Sequence, residues 1–168
     1  MNILFWLYIS NALFLTWLIR LPPNCHCEIN DFESDWEFSK PFDFIHGRNI
    51  GGAVRDFPLL FKRAKENLKD GGWIEFVDFI VEPYADDASL EKASNVIEWC
   101  KLLNEASLKS GKGLNVAGNL KQWIVDAGFK NVVEEVYKVR VSFCLSVFAR
   151  KHYLKATVHR GGSSVFYP

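Results

Sequence analysis

Acidic and basic side chains occur at the points of this sequence where a chain of alternating strands and helices would turn. Asp31 and Phe32 follow one short apolar stretch, and His46-Gly47-Arg48 follows another. In parallel sheets, the loop after each strand faces the ligand side, where an acid accepts a hydrogen bond from an amino group and the next backbone amide donates to a ring nitrogen. These residue types therefore suit a site for a nucleotide-like ligand.

Each of these residues also has a simpler interpretation. Asp31 equally suits an aspartate that caps the amides of its own turn. In the ligand interpretation, Gly47 lets the backbone approach a ligand closely, but His46 and Arg48 equally suit a solvated loop. Glu75 and Asp78 lie inside a mostly apolar run, and their odd spacing directs them to opposite faces of a regular strand. Asp78 is nearer the carboxyl end and is the better candidate for a substrate pocket, while Glu75 suits a pair with a basic side chain from a helix.

The chain that must position these residues has the composition of a globular protein. It has 168 residues, of which 49% are apolar and 24% are charged, which suits one domain with appended ends. Twenty basic residues balance twenty acidic residues, and no basic stripe is present that would displace phosphate counterions. The sequence therefore predicts no nucleic-acid partner.

The four cysteines do not have the spacing of a secreted disulfide framework. This predicts a reducing compartment, the cytoplasm or the nucleus. Cys25-His26-Cys27 suggests zinc, but structural zinc sites use two separated pairs of ligands, and a second pair is not visible. We therefore predict no metal site and interpret the two thiols as small buried side chains at a strand end.

Residues 3–19 form an almost uncharged apolar run that is followed by Arg20-Leu21-Pro22-Pro23. Proline disfavours helix in the residue before it, which explains where the run ends. We predict an apolar helix over residues 1–20. Its length is at the lower limit for a bilayer span, so it suits a weak membrane anchor, a signal-like segment, a helix packed on the domain or a segment foreign to it.

Short apolar runs and amphipathic stretches alternate over residues 24–141. Strands are predicted over 25–29, 42–45, 73–81 and 129–141, and helices over 57–68, 89–110 and 120–127. Asp56 is the predicted cap of the first helix, and Gly128 ends the last one. Such alternation implies crossovers and a largely parallel α/β sheet covered on both faces. The pattern degrades after Val141, and we predict an irregular tail over residues 142–168.

Three stretches, in this order, resemble the class I S-adenosylmethionine-dependent methyltransferase fold, and specifically fungal enzymes related to the secondary-metabolism regulators. They are CEINDFE with DWEFSKPFDFIHGR (27–33 and 35–48), LKDGGWIEFVDF (68–79) and LKQWIVDAGFKNVVEE (120–135). The resemblance covers residues 24–141 and implies a partial Rossmann-like sheet, mostly parallel, with flanking helices.

The resemblance also implies roles for individual residues. Asp31 would accept a hydrogen bond from the adenine amino group of S-adenosylmethionine, and the amide of Phe32 would donate to the adenine ring. His46 and Arg48 would face the reaction centre, and Asp78 would line the acceptor pocket. The methyl acceptor would be a small molecule or a protein.

The sequence departs from this family before residue 47, because no glycine precedes Gly47. The family begins with a strand and a glycine-rich turn, where the methionine moiety of the cofactor lies directly against backbone. We therefore expect the amino-terminal strands to be missing and cofactor binding to be impaired. Two alternatives follow from this expectation: a non-enzymatic interaction module, attached to a membrane through residues 3–19, or an incomplete reading frame.

Overall fold

The computed structural model describes residues 3–7, 31–140 and 148–158. In chain order, the elements are β1 (Ile3–Leu7), β2 (Phe42–Arg48), α1 (Phe57–Glu66), β3 (Leu68–Tyr84), a 3₁₀ helix (Ala88–Ala93), α2 (Ser94–Lys109), α3 (Ala117–Asp126), β4 (Lys130–Arg140) and β5 (Phe148–Thr157). The predicted α/β class is confirmed. The predicted strand over residues 25–29 lies outside the described residues.

The five strands form one sheet in the order β1-β2-β3-β5-β4. β1, β2 and β3 are parallel, whereas β5 is antiparallel to both of its neighbours. The prediction of a mostly parallel sheet is therefore wrong, because two of the four pairings are antiparallel and these two are the longer ones. The β3–β5 pairing alone extends from Trp73 opposite Thr157 to Tyr84 opposite Phe148.

The amino-terminal segment differs from its prediction. Ile3–Leu7 is a strand that pairs with β2 from Phe44 to Arg48, so the predicted apolar helix over residues 1–20 is wrong at these positions. The sheet also contains a strand where the amino-terminal strands were expected to be missing. An uninterrupted apolar run suits a buried strand as well as a helix, and periodicity cannot distinguish them. Residues 8–30 lie outside the described part of the chain.

The predicted irregular tail is also wrong over residues 148–157, which form β5 between β3 and β4. Leu154 and Ala156 are fully buried there, and Val158 follows them. Two lysines and an arginine among these ten residues obscure the apolar alternation in the sequence.

Local signals set the bounds of α1. Asp56 caps it, because its Oδ1 accepts a hydrogen bond from the amide of Leu59 at 2.9 Å, and Pro58 lies in the first turn. The predicted apolar face is buried, with Phe61 and Ala64 fully so. The helix ends at Glu66, two residues before its predicted end, because Leu68 already begins β3.

The core lies between one face of the sheet and helices α1 and α3. The rings of Phe61 on α1 and Phe76 on β3 meet edge to face, with centroids 4.8 Å apart. Among the described residues, the opposite face of the sheet carries exposed apolar side chains, so the prediction of a sheet covered on both faces does not hold there. They are Trp73 at 48%, Val133 at 56% and Tyr137 at 51% exposure.

In the part of the chain that the structure describes, no helix combines the length and the apolar character that crossing a membrane requires.

The position of β5 predicts a large effect for a core substitution in it. Leu154→Ala removes a side chain with no exposed surface, and we expect the free energy of unfolding to fall by about 2–5 kcal/mol. Leu102→Ala, at a position that is 56% exposed, is the matched control and should change it by less than about 1 kcal/mol. Urea unfolding followed by circular dichroism measures both, and equal small losses would contradict a central β5.

Candidate functional site

The loop that follows β2 is fixed to β3 by the buried carboxylate of Asp78, just after the last pair between the two strands. Asp78 is 6% exposed. Its Oδ2 accepts hydrogen bonds from the amides of Ile50 at 3.1 Å and Gly51 at 2.8 Å, and its Oδ1 accepts one from Phe79 at 2.8 Å. Burial raises the pKa of Asp78 above its ordinary value, against the opposing effect of the three amides. The carboxylate therefore organises backbone at the carboxyl edge of the parallel half of the sheet.

Two glycines let this loop pack closely against the segment before α3. A Cβ at Gly51 would lie 2.8 Å from the carbonyl oxygen of Leu114, and Gly52 has a φ of +77°, which favours glycine. The amide of Gly52 donates to the carbonyl of Gly113 at 2.9 Å. The loop, Asp78 and residues 113–114 thus form one connected layer.

His46 belongs to a different cluster, on the opposite face of the sheet. His46 pairs with Glu75 in the β2–β3 register, and Nδ1 of His46 lies 3.7 Å from Oε1 of Glu75. The hydroxyl of Tyr153 donates to the same oxygen, and Nζ of Lys155 lies 4.0 Å from Oε2. Glu75 therefore has a basic partner, as predicted, but its partners come from strands and not from a helix.

Burial is the largest influence on two pKa values in this cluster. It lowers the pKa of His46, as does nearby Arg48, while Glu75 acts in the opposite direction. Burial also raises the pKa of Tyr153, and with the hydrogen bond to Glu75 it reaches about 12. At neutral pH the tyrosine therefore keeps its proton, and its hydroxyl donates a hydrogen bond to the carboxylate of Glu75.

Asp31 caps its own turn. Its Oδ1 accepts a hydrogen bond from the amide of Glu33 at 2.9 Å, and Ser34 donates to its carbonyl. Asp31 is exposed, and Phe32 is half-buried against the core. The turn is attached to the loop after β2, because Oε1 of Glu33 accepts from the amide of Arg55 at 2.6 Å.

The structure thus separates the predicted site residues into three places. Asp31 and Phe32 lie in a turn beside the loop after β2, and Asp78 lies under that loop. His46 is on the opposite face of the sheet from Asp78, and exposed Arg48 ends β2, opposite Val77 in the register. The loop after β2 connects two of these places, because its amides donate to Glu33 of the Asp31 turn and to Asp78.

Sequence reasoning missed a buried histidine beside Asp78. His152 is opposite Asp78 in the β3–β5 register and is 8% exposed. Its Nδ1 lies 2.7 Å from Oε1 of Glu134 on β4, and its buried Nε2 has no hydrogen-bond partner among the described residues. Positions 152, 154 and 156 are buried, and this alternation of every second residue is the sequence signal that predicts a strand here. Among all residues that the structure describes, no group of three or more potential ligands is arranged to hold a metal ion.

A sheet in which β1, β2 and β3 are parallel and β5 is antiparallel, with helices between its strands in the chain, defines an α/β domain. Residues 15–134 match the family model described as "Methyltransferase domain". The match includes more than half of the chain, and the protein belongs to this methyltransferase family. The resemblance drawn from the three sequence stretches is confirmed.

Similar proteins come from fungi. Methyltransferase pytC of Aspergillus terreus is 31% identical over 120 residues, which are 71% of this chain and 37% of that protein. The secondary metabolism regulator LAE1 of Cochliobolus heterostrophus is 31% identical over 123 residues, with 71% and 40% covered. The chain thus spans about two-fifths of the length of these curated relatives.

A solved structure shows the same fold. The S-adenosylmethionine-dependent methyltransferase of Methanosarcina mazei superposes with a TM-score of 0.51 at 12% sequence identity. The superposition covers 90% of this chain and 80% of that chain.

The raised pKa of Asp78 predicts a pH dependence of stability. An acid whose pKa is higher in the folded state contributes stability that is complete below the unfolded pKa and is lost as pH rises through the folded pKa. We therefore expect the wild type to lose stability relative to Asp78→Asn as pH rises from about 4. Urea unfolding of both proteins across pH 4 to 8 tests this expectation, and a difference that does not change with pH would contradict it.

Proposed function

We propose that this protein takes part in methyl transfer from S-adenosylmethionine. The observation that carries the proposal is the match of residues 15–134 to the methyltransferase family. The fold adds support, because the ligand-side loop after β2 is held in a defined conformation by Asp78. When bound, S-adenosylmethionine supplies a methyl group on a positively charged sulfur, which the lone pair of an acceptor displaces. The protein's contribution is to hold donor and acceptor in line.

The adenine end of the cofactor fits the residues present. Asp31 is exposed at the edge of the loop layer, and only its Oδ1 is used by the amide of Glu33. Its Oδ2 can accept a hydrogen bond from the adenine amino group, while the turn keeps the carboxylate in place. In this proposal, Phe32 supplies the neighbouring backbone, and the exposed guanidinium of Arg48 supplies positive charge at the end of β2.

The methionine end of the cofactor has less support. No glycine occurs between Met1 and His46, so the sequence offers no backbone free of Cβ atoms for close contact after β1. We therefore propose that the chain binds the cofactor mainly through its adenine end, with a dissociation constant weaker than about 1 μM.

A titration with S-adenosylhomocysteine followed by amide NMR tests this proposal. We expect the amides of the Asp31 turn and of the loop after β2 to shift. Asp31→Asn keeps an oxygen for the amide of Glu33 but presents an NH₂ group to adenine, so its affinity should fall about ten-fold. Glu37→Gln alters an exposed acid of the same segment and serves as the control. The absence of shifts at millimolar ligand, or equal effects of the two variants, would reject the adenine site.

A second candidate function, a non-enzymatic interaction module, is favoured by the exposed apolar side chains of Trp73, Val133 and Tyr137 on one face of the sheet. All three side chains lie on the sheet face opposite α1 and α3 and are about half exposed. Sheet faces with exposed aromatic and aliphatic groups are typical of protein contacts.

Sedimentation velocity of the wild type and of a Trp73→Ser, Val133→Ser variant distinguishes this candidate. Self-association that the two substitutions abolish would support it. A wild type that stays monomeric at about 100 μM would count against it, because self-association through these exposed apolar side chains is favoured by high protein concentration.

A further inference from the structure

The turn that carries Asp31 is attached to the rest of the domain through its neighbour Glu33. The amide of Glu33 donates to Oδ1 of Asp31 at 2.9 Å, so the backbone at position 33 holds the carboxylate that the proposed adenine site uses. Asp31 itself is exposed, whereas the side chain of Glu33 is only 22% exposed. The position of Asp31 therefore depends on the groups that fix Glu33.

The carboxylate of Glu33 bridges two segments that are far apart in the sequence. Its Oε1 accepts a hydrogen bond from the amide of Arg55, in the loop after β2, at 2.6 Å. Its Oε2 lies 3.0 Å from Nζ of Lys112, in the segment between α2 and α3. Burial acts to raise the pKa of Glu33, but the Arg55 amide and the Lys112 ammonium lower it below its ordinary value. The side chain is therefore an ionised acceptor at neutral pH.

Lys112 also holds the loop after β2 directly. Its Nζ donates to the carbonyl of Ala53 at 2.7 Å, and the next residue, Gly113, accepts a hydrogen bond from the amide of Gly52 at 2.9 Å. An ammonium group has several donors, so one lysine serves both the turn and the loop. Since hydrogen bonds between charged groups are stronger than neutral ones, the pair of Glu33 and Lys112 fastens the turn to the loop.

Arg63 on α1 fixes the backbone of the same residue. Its Nη1 donates to the carbonyl of Glu33, and its Nη2 donates to Oδ1 of Asp35 at 2.7 Å. The side chain of Arg63 is 16% exposed and that of Asp35 is 92% exposed, so the bond to the carbonyl is the better protected from water. Glu33 is thus attached to α1 by its backbone and to the loop by its side chain.

We infer that Glu33 and Lys112 are positioning residues for the methyl donor. Together they hold the Asp31 turn against the loop after β2, so that the carboxylate of Asp31 meets the amino group of adenine. The inference rests on the proposed function, because it requires adenine to bind at Asp31. Neither Glu33 nor Lys112 contacts the cofactor in this arrangement. Because they act through Asp31, their loss affects the recognition of the one group that Asp31 binds.

The selectivity between two ligands tests this inference. In S-inosylhomocysteine a carbonyl oxygen replaces the adenine amino group of S-adenosylhomocysteine, and the adjacent ring nitrogen carries a hydrogen. A carboxylate and a backbone amide that recognise adenine reject this purine, so we expect the wild type to bind S-adenosylhomocysteine about ten-fold more tightly. Glu33→Ala should reduce this ratio to about two-fold or less and leave the affinity for S-inosylhomocysteine nearly unchanged. Amide NMR titrations measure both dissociation constants.

Three further variants define the pair. Glu33→Gln keeps an oxygen for the amide of Arg55 but offers Lys112 no charge, so it should retain part of the selectivity. Lys112→Met should also lower the ratio, and combining it with Glu33→Ala should add little, because the two side chains act as one unit. Glu37→Ala removes an exposed acid of the same segment and is the matched control, with an unchanged ratio.

Hydrogen exchange of the unliganded chain gives a measurement that involves no cofactor. The amide of Arg55 is held by Glu33, so its protection should fall by about ten-fold or more in Glu33→Ala and stay unchanged in Glu37→Ala. Protection that is the same in both variants would contradict the attachment of the turn to the loop.

The outcomes separate this inference from the proposed function. Selectivity that survives in Glu33→Ala overturns the inference and leaves the adenine site in place. An equal loss of both affinities in Glu33→Ala also overturns it, because a general loss of folded protein does not distinguish the two purines. If the wild type binds neither ligand, the adenine site and the proposed methyl transfer are rejected, and the inference with them.

Discussion

The hydrogen bonds between the buried carboxylate of Asp78 and three backbone amides hold the loop after β2 against β3. Two of the amides belong to the loop after β2 and one to β3 itself. Amides are fixed donors that do not titrate, so the loop conformation depends on the state of a single acid. Since the same loop packs on residues 113 and 114, this one side chain links two parallel strands to the segment before α3.

A second acid on the same strand is accommodated in a different way. Glu75 lies three residues before Asp78 and points to the other face of the sheet, where its partners are the side chains of His46, Tyr153 and Lys155. His46 is thereby held against a carboxylate and is directed away from Asp78. The family resemblance directs His46 to the reaction centre and Asp78 to the acceptor pocket, whereas the sheet places these two side chains on opposite faces.

The parts of the fold that local chemistry determines were predictable from the sequence. α1 has its cap at Asp56, its apolar face and its basic last turn within ten residues, and each signal acts locally. β1 and β5 were not predictable in this way. An apolar run at Ile3–Leu7 is ambiguous without its neighbours, and β5 is buried because β3 and β4 enclose it, although its own sequence is rich in charge.

The candidate site shows the same division. The turn at Asp31 uses an amide two residues away, so its capping role could be considered from sequence. Asp78 reaches amides that lie 27 and 28 residues earlier in the chain, and His152 faces Glu134 across a strand pairing. Only the register of the sheet brings such groups together, and a single sequence does not encode that register in any local pattern.

The place of β5 in the sheet also bears on how the chain is made. β4 precedes β5 in sequence, yet it touches β3 only through β5. During synthesis, one edge of β3 therefore stays unpaired until β5 has emerged. Trp73, for example, pairs with Thr157, which lies 84 residues later in the chain. Contacts of such long separation form late, and an unpaired edge is prone to join other chains in the meantime. We therefore expect the nascent polypeptide to be prone to aggregation until β5 has emerged.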